Sequence, residues 1–265
     1  MQICRFTQHD DISARFGLLE GEEIYPLKGD VTSETLTEAH TERPLKFSEV
    51  RLLAPATPSK IVCVGRNYRD HAAELGNAMP TEPLLFLKPP SAVIGPEDFI
   101  ELPPDSNRVE HEGELAVVIG RRASRLRADE DPLQYVLGYT CANDVTARDL
   151  QRKDVQFTRA KSFDTFCPLG PFIVTGIDPS NLLVETYVNG VMRQSARTGV
   201  MEFPVPMLLR YISNIMTLKP GDVISTGTPA GVGPLLDGER VEVRIEGIGI
   251  LTNFVRSAVS VSEME

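Results

Sequence analysis

The chain has 265 residues, of which 42% are hydrophobic and 24% charged, and its formal net charge is -10 at pH 7. This composition is typical of a globular protein with one substantial core, and no apolar run reaches the roughly 18 residues that a membrane span needs. The negative charge would repel a phosphate backbone, and no Lys/Arg cluster is large enough to override it. Nucleic acid and membrane partners are therefore not expected.

The first residues, MQICRFTQHDDISARF, carry Arg5, Asp10 and Asp11 where an export signal would need an apolar segment. We therefore expect a cytoplasmic protein. The cysteines are far apart, form no CxxC pair and mostly have apolar neighbours. They are expected to be buried free thiols in a reducing compartment, and not disulfides or zinc ligands: Cys4, Cys63, Cys141 and Cys167.

The beginning of the chain consists of short strand-like pieces. In ARFGLLEGEEIYPL, the central EGEE is typical of a hairpin turn between two apolar runs. The prolines of LAPATPSK then mark a connector into a new strand. We predict a small N-terminal β domain at residues 1–55 and a main domain at residues 56–265.

The stretch GRNYRDHAAELG predicts a short helix between Asn67, a residue that favours helix starts, and Gly76, a residue that favours helix ends. This helix would place His71 and Glu74 one turn apart. Such pairs are common surface contacts worth a few tenths of a kcal/mol. The pair alone does not distinguish a catalytic role from a surface contact.

Strand-like runs broken by 20 glycines and 20 prolines fill most of the main domain. A second helix is predicted in PVPMLLRYISNIM, where apolar residues recur at helical spacing: Met207, Leu208, Tyr211, Ile212 and Ile215. We therefore expect a mostly β (α+β) fold, a twisted barrel or roll with few helices.

Three carboxylates are the most informative feature. If ELAVVIG in VEHEGELAVVIG is a strand, Glu112 and Glu114 project from the same face, while His111 faces the other side and is structural or supports the site. The next strand-like run ends at Asp144. These three side chains supply oxygen ligands of the kind that Mg²⁺ or Mn²⁺ prefers, whereas zinc more often has His or Cys ligands. The alternative is a solvated strand edge.

Such a site would need nearby cations to hold an anionic substrate, because three carboxylates outweigh one divalent ion. Lys161 in KSFDTFCPLGP is the candidate, and Arg66 and Arg148 are two more. Each of the three has the alternative of being an ordinary surface cation.

Six ordered blocks of the sequence resemble the fumarylacetoacetate hydrolase family, from about residue 56 to 257: GRNYRDHAAE, FLKPPSAVIGP, HEGELAVVIG, ANDVTARDLQ, AKSFDTFCPLGP and STGTPAGVG. The resemblance is to the branch of acylpyruvate hydrolases, oxaloacetate decarboxylases and tautomerases, and 2-hydroxyhepta-2,4-diene-1,7-dioate isomerases. It implies a mixed β-roll, a small N-terminal domain and a homodimer.

The resemblance also implies site residues. The metal ligands would be Glu112, Glu114 and Asp144, and the active-site lysine would be Lys161. His71 and Glu74 would act on water from a mobile lid helix. Residues beside the metal and substrate would be Arg66, Asn67, Tyr68, Gln151 and Thr228.

Two blocks need separate interpretation. Where the family often has N-T-S-D-M-I-F, this chain has ARTGVMEF, with Gly199 and Val200 in the middle. GTPAGVG is Gly-rich but lacks the Gly-Lys-Ser/Thr end of a P-loop. We interpret it as a tight turn that brings Thr228 close to a small ligand.

These parts predict an Mg²⁺- or Mn²⁺-dependent enzyme that cleaves a C–C bond in a small anionic 2-oxo acid through an enolate, by acylpyruvate hydrolysis or oxaloacetate decarboxylation. One alternative is a 2-hydroxyhepta-2,4-diene-1,7-dioate isomerase or an oxaloacetate tautomerase, which would use the same enolate. A second alternative is a catalytically silent metal-binding protein.

Overall fold

A computed structural model describes residues 1–8, 11–29, 37–38 and 43–258. The structure is mostly β, with 44% of the described residues in strands and 18% in α- and 3-10 helices, and the predicted fold class is confirmed. No helix of the described residues is both long and apolar enough to span a membrane. All four cysteines are free and buried, as predicted.

The strands are numbered in chain order: β1 Gln2–Gln8, β2 Asp11–Glu20, β3 Glu23–Lys28, β4 Thr37–Glu38, β5 Leu45–Lys46, β6 Val50–Leu53, β7 Ile61–Gly65, β8 Leu84–Lys88, β9 Val93–Ile94, β10 Phe99–Leu102, β11 Val109–His111, β12 Gly113–Ile119, β13 Val136–Asn143, β14 Thr146–Ala147, β15 Cys167–Val174, β16 Leu183–Val188, β17 Val191–Arg197, β18 Val223–Ser225, β19 Gly233–Pro234, β20 Arg240–Ile245 and β21 Gly249–Ser257. The α-helices are α1 Arg69–Glu74, α2 Arg148–Lys153, α3 Thr158–Lys161 and α4 Val205–Ile215.

Two large sheets pack face to face. The longer sheet has the order β4-β3-β2-β1-β15-β13-β12-β18-β7-β8, and the second has the order β10-β21-β20-β16-β17. The main hydrophobic cluster joins Leu115 and Val117 of β12 to Val184 of β16 and Val243 of β20, with Leu208 of α4 at its side. The core therefore lies between the sheets, and the predicted helix α4 closes part of it.

The N-terminal strands continue the long sheet. Strands β2 and β3 form the predicted hairpin, with Gly21 in the turn at a φ of 63° that suits glycine. Strand β1 pairs with β15 of the main domain, with Gln2 opposite Val174. Hydrogen bonding thus crosses the predicted domain boundary at residue 55. The division into two domains stays a prediction.

The register of one hairpin positions the carboxylates. Strands β12 and β13 are antiparallel, with Gly113 opposite Asn143 and Glu114 opposite Ala142. Asp144 directly follows β13. The beginning of β12 and the end of β13 therefore meet at the same edge of the sheet.

Helix α1 begins at Arg69, two residues after the predicted start at Asn67. The Asn67 side chain does not cap the helix, because its amide donates to the carbonyl oxygens of Phe203 and Thr226 and accepts from Phe203 N. Gly76 follows the helix with a φ of 69°, as expected for a glycine at a helix end.

Candidate active site

A cavity of about 200 Å³ opens at the edge where β12 and β13 meet. The predicted ligands Glu112, Glu114 and Asp144 all line it. Each offers one oxygen to a group in which all ligand atoms lie within 4.8 Å of one another, and all three side chains are buried. The alternative of a solvated strand edge is therefore excluded for these residues.

The position of Glu112 differs from the one predicted from the sequence. Glu112 does not belong to β12, which begins at Gly113, but lies in the break between β11 and β12. Its backbone N–H donates to Asn143 Oδ1 (2.9 Å), and its carbonyl accepts from Asp144 N (2.8 Å). These bonds hold Glu112 beside Asp144 even though simple strand alternation does not place it there.

Buried cations surround two of the carboxylates. Lys161 Nζ donates to Glu112 Oε2 (2.7 Å) and to Asp144 Oδ2 (2.6 Å), so Lys161 is not a surface lysine. Arg148 is buried between Glu110, at 2.6 Å from Nε to Oε2, and Glu112. Burial opposes ionisation of Glu112, but the charges of Lys161 and Arg148 hold the pKa of Glu112 well below its usual value.

Glu114 has a different environment. Its Oε2 accepts hydrogen bonds from Ser225 Oγ (2.5 Å) and Gly227 N (2.8 Å), which are neutral donors. Burial, together with the nearby charge of Asp144, raises the pKa of Glu114 to about 8. A proton on Glu114 therefore relieves repulsion among the carboxylates when no cation lies between them.

The arrangement fits a hard divalent cation. Carboxylate oxygens have two lone pairs each, so Glu112 and Asp144 can keep their hydrogen bonds to cationic side chains while a free lone pair contacts an ion. An all-oxygen set suits Mg²⁺ or Mn²⁺ better than zinc. The residues that would hold the ion are Glu112, Glu114 and Asp144.

Lys88 is a buried residue of the site that the sequence analysis did not single out. Its Nζ donates to Asp144 Oδ1 (2.6 Å) and to the Val145 carbonyl (3.1 Å). Lys88 shares a face of β8 with Phe86, which lines the cavity. Lys88 follows Phe86 by two residues in an otherwise apolar strand, so both side chains lie on the same face. This pattern in the sequence would have indicated that Lys88 is buried.

His71 and Glu74 lie on α1, but only His71 lines the cavity wall. His71 Nδ1 is 3.6 Å from Glu74 Oε2, which is too long for a hydrogen bond. Both Glu74 carboxylate oxygens instead lie 3.1 Å from the Gly231 backbone N–H. Burial lowers the pKa of His71, so its imidazole is neutral at pH 7 and able to accept a proton.

The remaining predicted residues divide into two groups. Arg66, Gln151 and Thr228 line the cavity, and Arg148 Nη1 donates to Gln151 Oε1 (2.5 Å). Asn67 and Tyr68 are buried but are not part of the cavity wall. The roles assigned to all these residues stay predictions.

His111 is buried and does not line the cavity. Its Nδ1 lies 3.2 Å from Oε1 of Gln194, a buried residue of β17 that the sequence analysis missed. No local pattern marks Gln194, because it comes from the second sheet. Gly199 and Val200, the residues that depart from the family pattern, do not line the cavity either.

Metal affinity should depend on pH through Glu114. Because the pKa of this carboxyl is about 8 in the metal-free protein, an entering cation must displace a proton below that pH. We expect the affinity for Mn²⁺ to rise about tenfold per pH unit from pH 5 and to level off above pH 8. Titration calorimetry in buffers of different ionisation enthalpy would measure the released proton.

The raised pKa of Glu114 also affects the stability of the metal-free protein, which should fall as pH rises, whereas the affinity for Mn²⁺ should increase. A pKa raised above the usual 4.5 means that the folded state binds the proton more tightly than the unfolded state. The stabilisation is complete below pH 4.5 and is lost as pH rises through about 8, so the metal-free protein should melt at a lower temperature at pH 8 than at pH 5. The variant Glu114→Gln should lack this decrease; an unchanged decrease would assign it to another group.

Two family models match the chain. The model described as fumarylacetoacetate (FAA) hydrolase C-terminal matches residues 60–256, and the model described as Rv2993c-like, N-terminal matches residues 1–55. The first covers the whole cavity wall.

Three similar proteins illustrate the range of activities among relatives. The chain is 45% identical to the bovine mitochondrial oxaloacetate tautomerase FAHD2B, over 86% of this chain and 77% of that protein. The structure superimposes on 2-hydroxyhepta-2,4-diene-1,7-dioate isomerase from Mycobacterium marinum with a TM-score of 0.88 and 44% identity, covering 98% of this chain and 100% of that chain. It also superimposes on maleylpyruvate hydrolase from Sphingobium sp. SYK-6, in complex with manganese(II) ion and pyruvate, with a TM-score of 0.79 and 32% identity at coverages of 98% and 100%.

Proposed function

The chain belongs to the fumarylacetoacetate hydrolase family of enzymes, and we propose that it is a Mg²⁺- or Mn²⁺-dependent enzyme that acts on a small anionic 2-oxo acid through an enolate. The observation that carries the proposal is the buried group Glu112, Glu114 and Asp144 in the same cavity as Lys161 and His71. The manganese ion in the maleylpyruvate hydrolase structure supports the choice of cation.

Glu112, Glu114 and Asp144 would hold a divalent ion, which would supply a Lewis acid that stabilises the negative charge of an enolate. The ammonium group of Lys161 lines the same cavity and would supply a second positive charge to a bound enolate. Because Lys161 is held by both Glu112 and Asp144, it needs little reorganisation when charge develops. Arg148 orients Gln151 toward the same space.

His71 is the proposed proton-transfer group. It is neutral, lines the cavity and is carried by the short helix α1. In a hydrolase it would remove a proton from water that attacks the distal carbonyl, and Glu74 would orient it. Proton transfer by a positioned base of this kind contributes about 10²- to 10⁴-fold to a rate.

Isomerisation or tautomerisation is the second candidate, and the geometry of Glu74 favours it. Water activation by a dyad requires Glu74 to bond His71, whereas here Glu74 contacts the Gly231 N–H. Moving a proton to or from C3, the substrate carbon next to the 2-oxo group, requires only the neutral imidazole of His71. The similarity of the chain to the bovine oxaloacetate tautomerase and to the mycobacterial isomerase supports the same candidate.

Two cations of the cavity suggest a substrate with a second carboxylate. Among the described residues, Arg66 and Arg152 line the cavity without any ion pair, whereas the lining cations Arg148 and Lys161 both contact carboxylates. Arg66 also has a φ of 56°, which is uncommon for a residue other than glycine and is often found at functional sites. We propose that these guanidinium groups bind the distal acid of a 2-oxo dicarboxylate.

The test is a panel of substrates assayed with Mn²⁺: oxaloacetate for decarboxylation and for tautomerisation, acetylpyruvate for hydrolysis and a 2-hydroxydienedioate for isomerisation. We expect turnover of a dicarboxylate that a chelator removes and Mn²⁺ restores. The variant Arg152→Gln should lower kcat/KM for the dicarboxylate about tenfold, as expected for loss of a hydrogen bond to a charged group, and change the value for acetylpyruvate little.

Lys153 is the next residue on α2 and does not line the cavity, so Lys153→Gln is the matched control. Activity that survives complete metal removal would refute the metal-dependent proposal. Equal losses on both substrates would refute the role of Arg152. The predicted homodimer is a separate proposal, which the sedimentation coefficient of the purified protein would test.

A further inference from the structure

Strand β17 buries a single residue, and that residue is polar. Among Val191–Arg197, Gln194 alone is fully buried, at 1% exposed, while its neighbours are exposed or partly exposed. β17 is also one of the two edge strands of its sheet. An edge strand that buries only an amide contributes little hydrophobic packing, so the amide needs another explanation.

The hydrogen bonds of Gln194 fix its orientation. Oε1 accepts from Gly113 N (3.0 Å) and lies 3.2 Å from His111 Nδ1, while Nε2 donates to Thr228 Oγ1 (2.7 Å) and to the Pro229 carbonyl (2.7 Å). A backbone N–H can only donate and a carbonyl can only accept, so the two ends of the amide cannot be exchanged. His111 must therefore carry its proton on Nδ1. The amide is fully hydrogen-bonded.

Two partners of Gln194 adjoin the proposed metal ligands in the chain. Gly113 is the residue between Glu112 and Glu114, and His111 precedes Glu112. Thr228 Oγ1 also donates to the Gly113 carbonyl (2.9 Å), so Gln194, Gly113 and Thr228 form a closed ring of hydrogen bonds.

The space beside the Gly113 Cα is confined as well. A Cβ atom at this position would lie 2.1 Å from Thr186 Oγ1 of β16. The backbone between the two carboxylates is therefore fixed by Gln194 on β17 and by close packing against β16.

We propose that Gln194 is a positioning residue, which sets the spacing of Glu112 and Glu114 and places Thr228 beside them. The inference rests on the proposed metal site and adds a residue from the second sheet to it. Side chains that orient metal ligands without touching the ion typically affect metal affinity 10- to 100-fold. A residue that only stabilises the fold would not.

The experiment compares the dissociation constant for Mn²⁺, measured by calorimetry, in the native protein and in Gln194→Met, which keeps the length of the side chain and removes its hydrogen bonds. We expect the Kd to rise about tenfold or more. Gln194→Asn, which keeps an amide with a shorter reach, serves as a second variant that is expected to fold more readily and to raise the Kd less.

The matched control is Asn253→Leu. Asn253 is also a buried amide at 1% exposed, and it donates to the carbonyls of Gly95 and Asp98, which do not line the cavity. This variant should lower the melting temperature as Gln194→Met does, yet leave the Kd unchanged.

The possible outcomes distinguish a wrong metal site from a wrong role for Gln194. Native protein that binds no Mn²⁺ would refute the proposed metal site and the inference with it. Native protein that binds Mn²⁺ while a folded Gln194 variant binds it within twofold of the native Kd would refute the inference alone. A similar rise in the control would also refute it, because the effect would then follow from lost stability.

Discussion

Asp144→Asn is expected to abolish turnover and to raise the Kd for Mn²⁺ more than about 100-fold, the upper end of the effect of losing an outer partner of a ligand. Asp144 is the proposed ligand that both Lys88 and Lys161 contact, at 2.6 Å each. Removing its charge leaves two buried ammonium groups with fewer anionic partners. The variant should therefore also be destabilised, by about 3 kcal/mol. Calorimetry with Mn²⁺ and thermal melting would measure the two effects.

Asp222→Asn separates metal binding from stability. Asp222 is likewise fully buried and pairs with a lysine, Lys60, but it does not line the cavity. Its replacement should destabilise the protein and leave Mn²⁺ binding intact. If Asp144→Asn bound Mn²⁺ as tightly as the native protein, the carboxylate group would not be the metal site.

His71→Asn is expected to lower kcat about 10²- to 10⁴-fold on the best substrate, because the neutral base is lost, while the Kd for Mn²⁺ stays close to the native value. His71 lines the cavity but is not one of the three converging carboxylates. Steady-state kinetics alongside Mn²⁺ calorimetry would separate proton transfer from metal binding.

The control for His71 is Arg69→Ala, on the same helix. Arg69 is exposed and contacts Glu202 at 2.6 Å, so its loss should change kcat little. Glu74→Gln then distinguishes the two candidate reactions, since hydrolysis by a dyad should fall with it and tautomerisation should not. An unaltered kcat in His71→Asn would make the His71/Glu74 pair structural.

The sequence predicted those parts of the site that depend on local pattern. The proximity of Glu114 and Asp144 could be predicted because Glu114 lies near the beginning of one strand and Asp144 at the end of the next. Adjacent antiparallel strands bring such ends together. Lys161 followed from the resemblance and from the charge that three carboxylates require. Mostly β structure and helix α4 followed from turn residues and helical spacing.

The parts that were missed depend on contacts between distant segments. Gln194 comes from the second sheet, 81 residues from Gly113. Lys88 has the local pattern in β8 described above, but its partner Asp144 is 56 residues away. The start of α1 was misplaced for the same reason. Asn67 favours helix caps locally, but its amide instead joins Phe203 and Thr226, which are 136 and 159 residues away. Local preference does not show such partners.

The pairing of β1 with β15 has a consequence for how the protein can be divided. Residues 1–55 match a family model of their own, yet β1 covers one side of β15, whose other side pairs with β13. Removing this segment would uncover backbone N–H and C=O groups of β15, the strand next to the β12–β13 hairpin that positions Asp144. Uncovered strand edges recruit other chains. The N-terminal strands thus cover part of one edge of β15 in the long sheet.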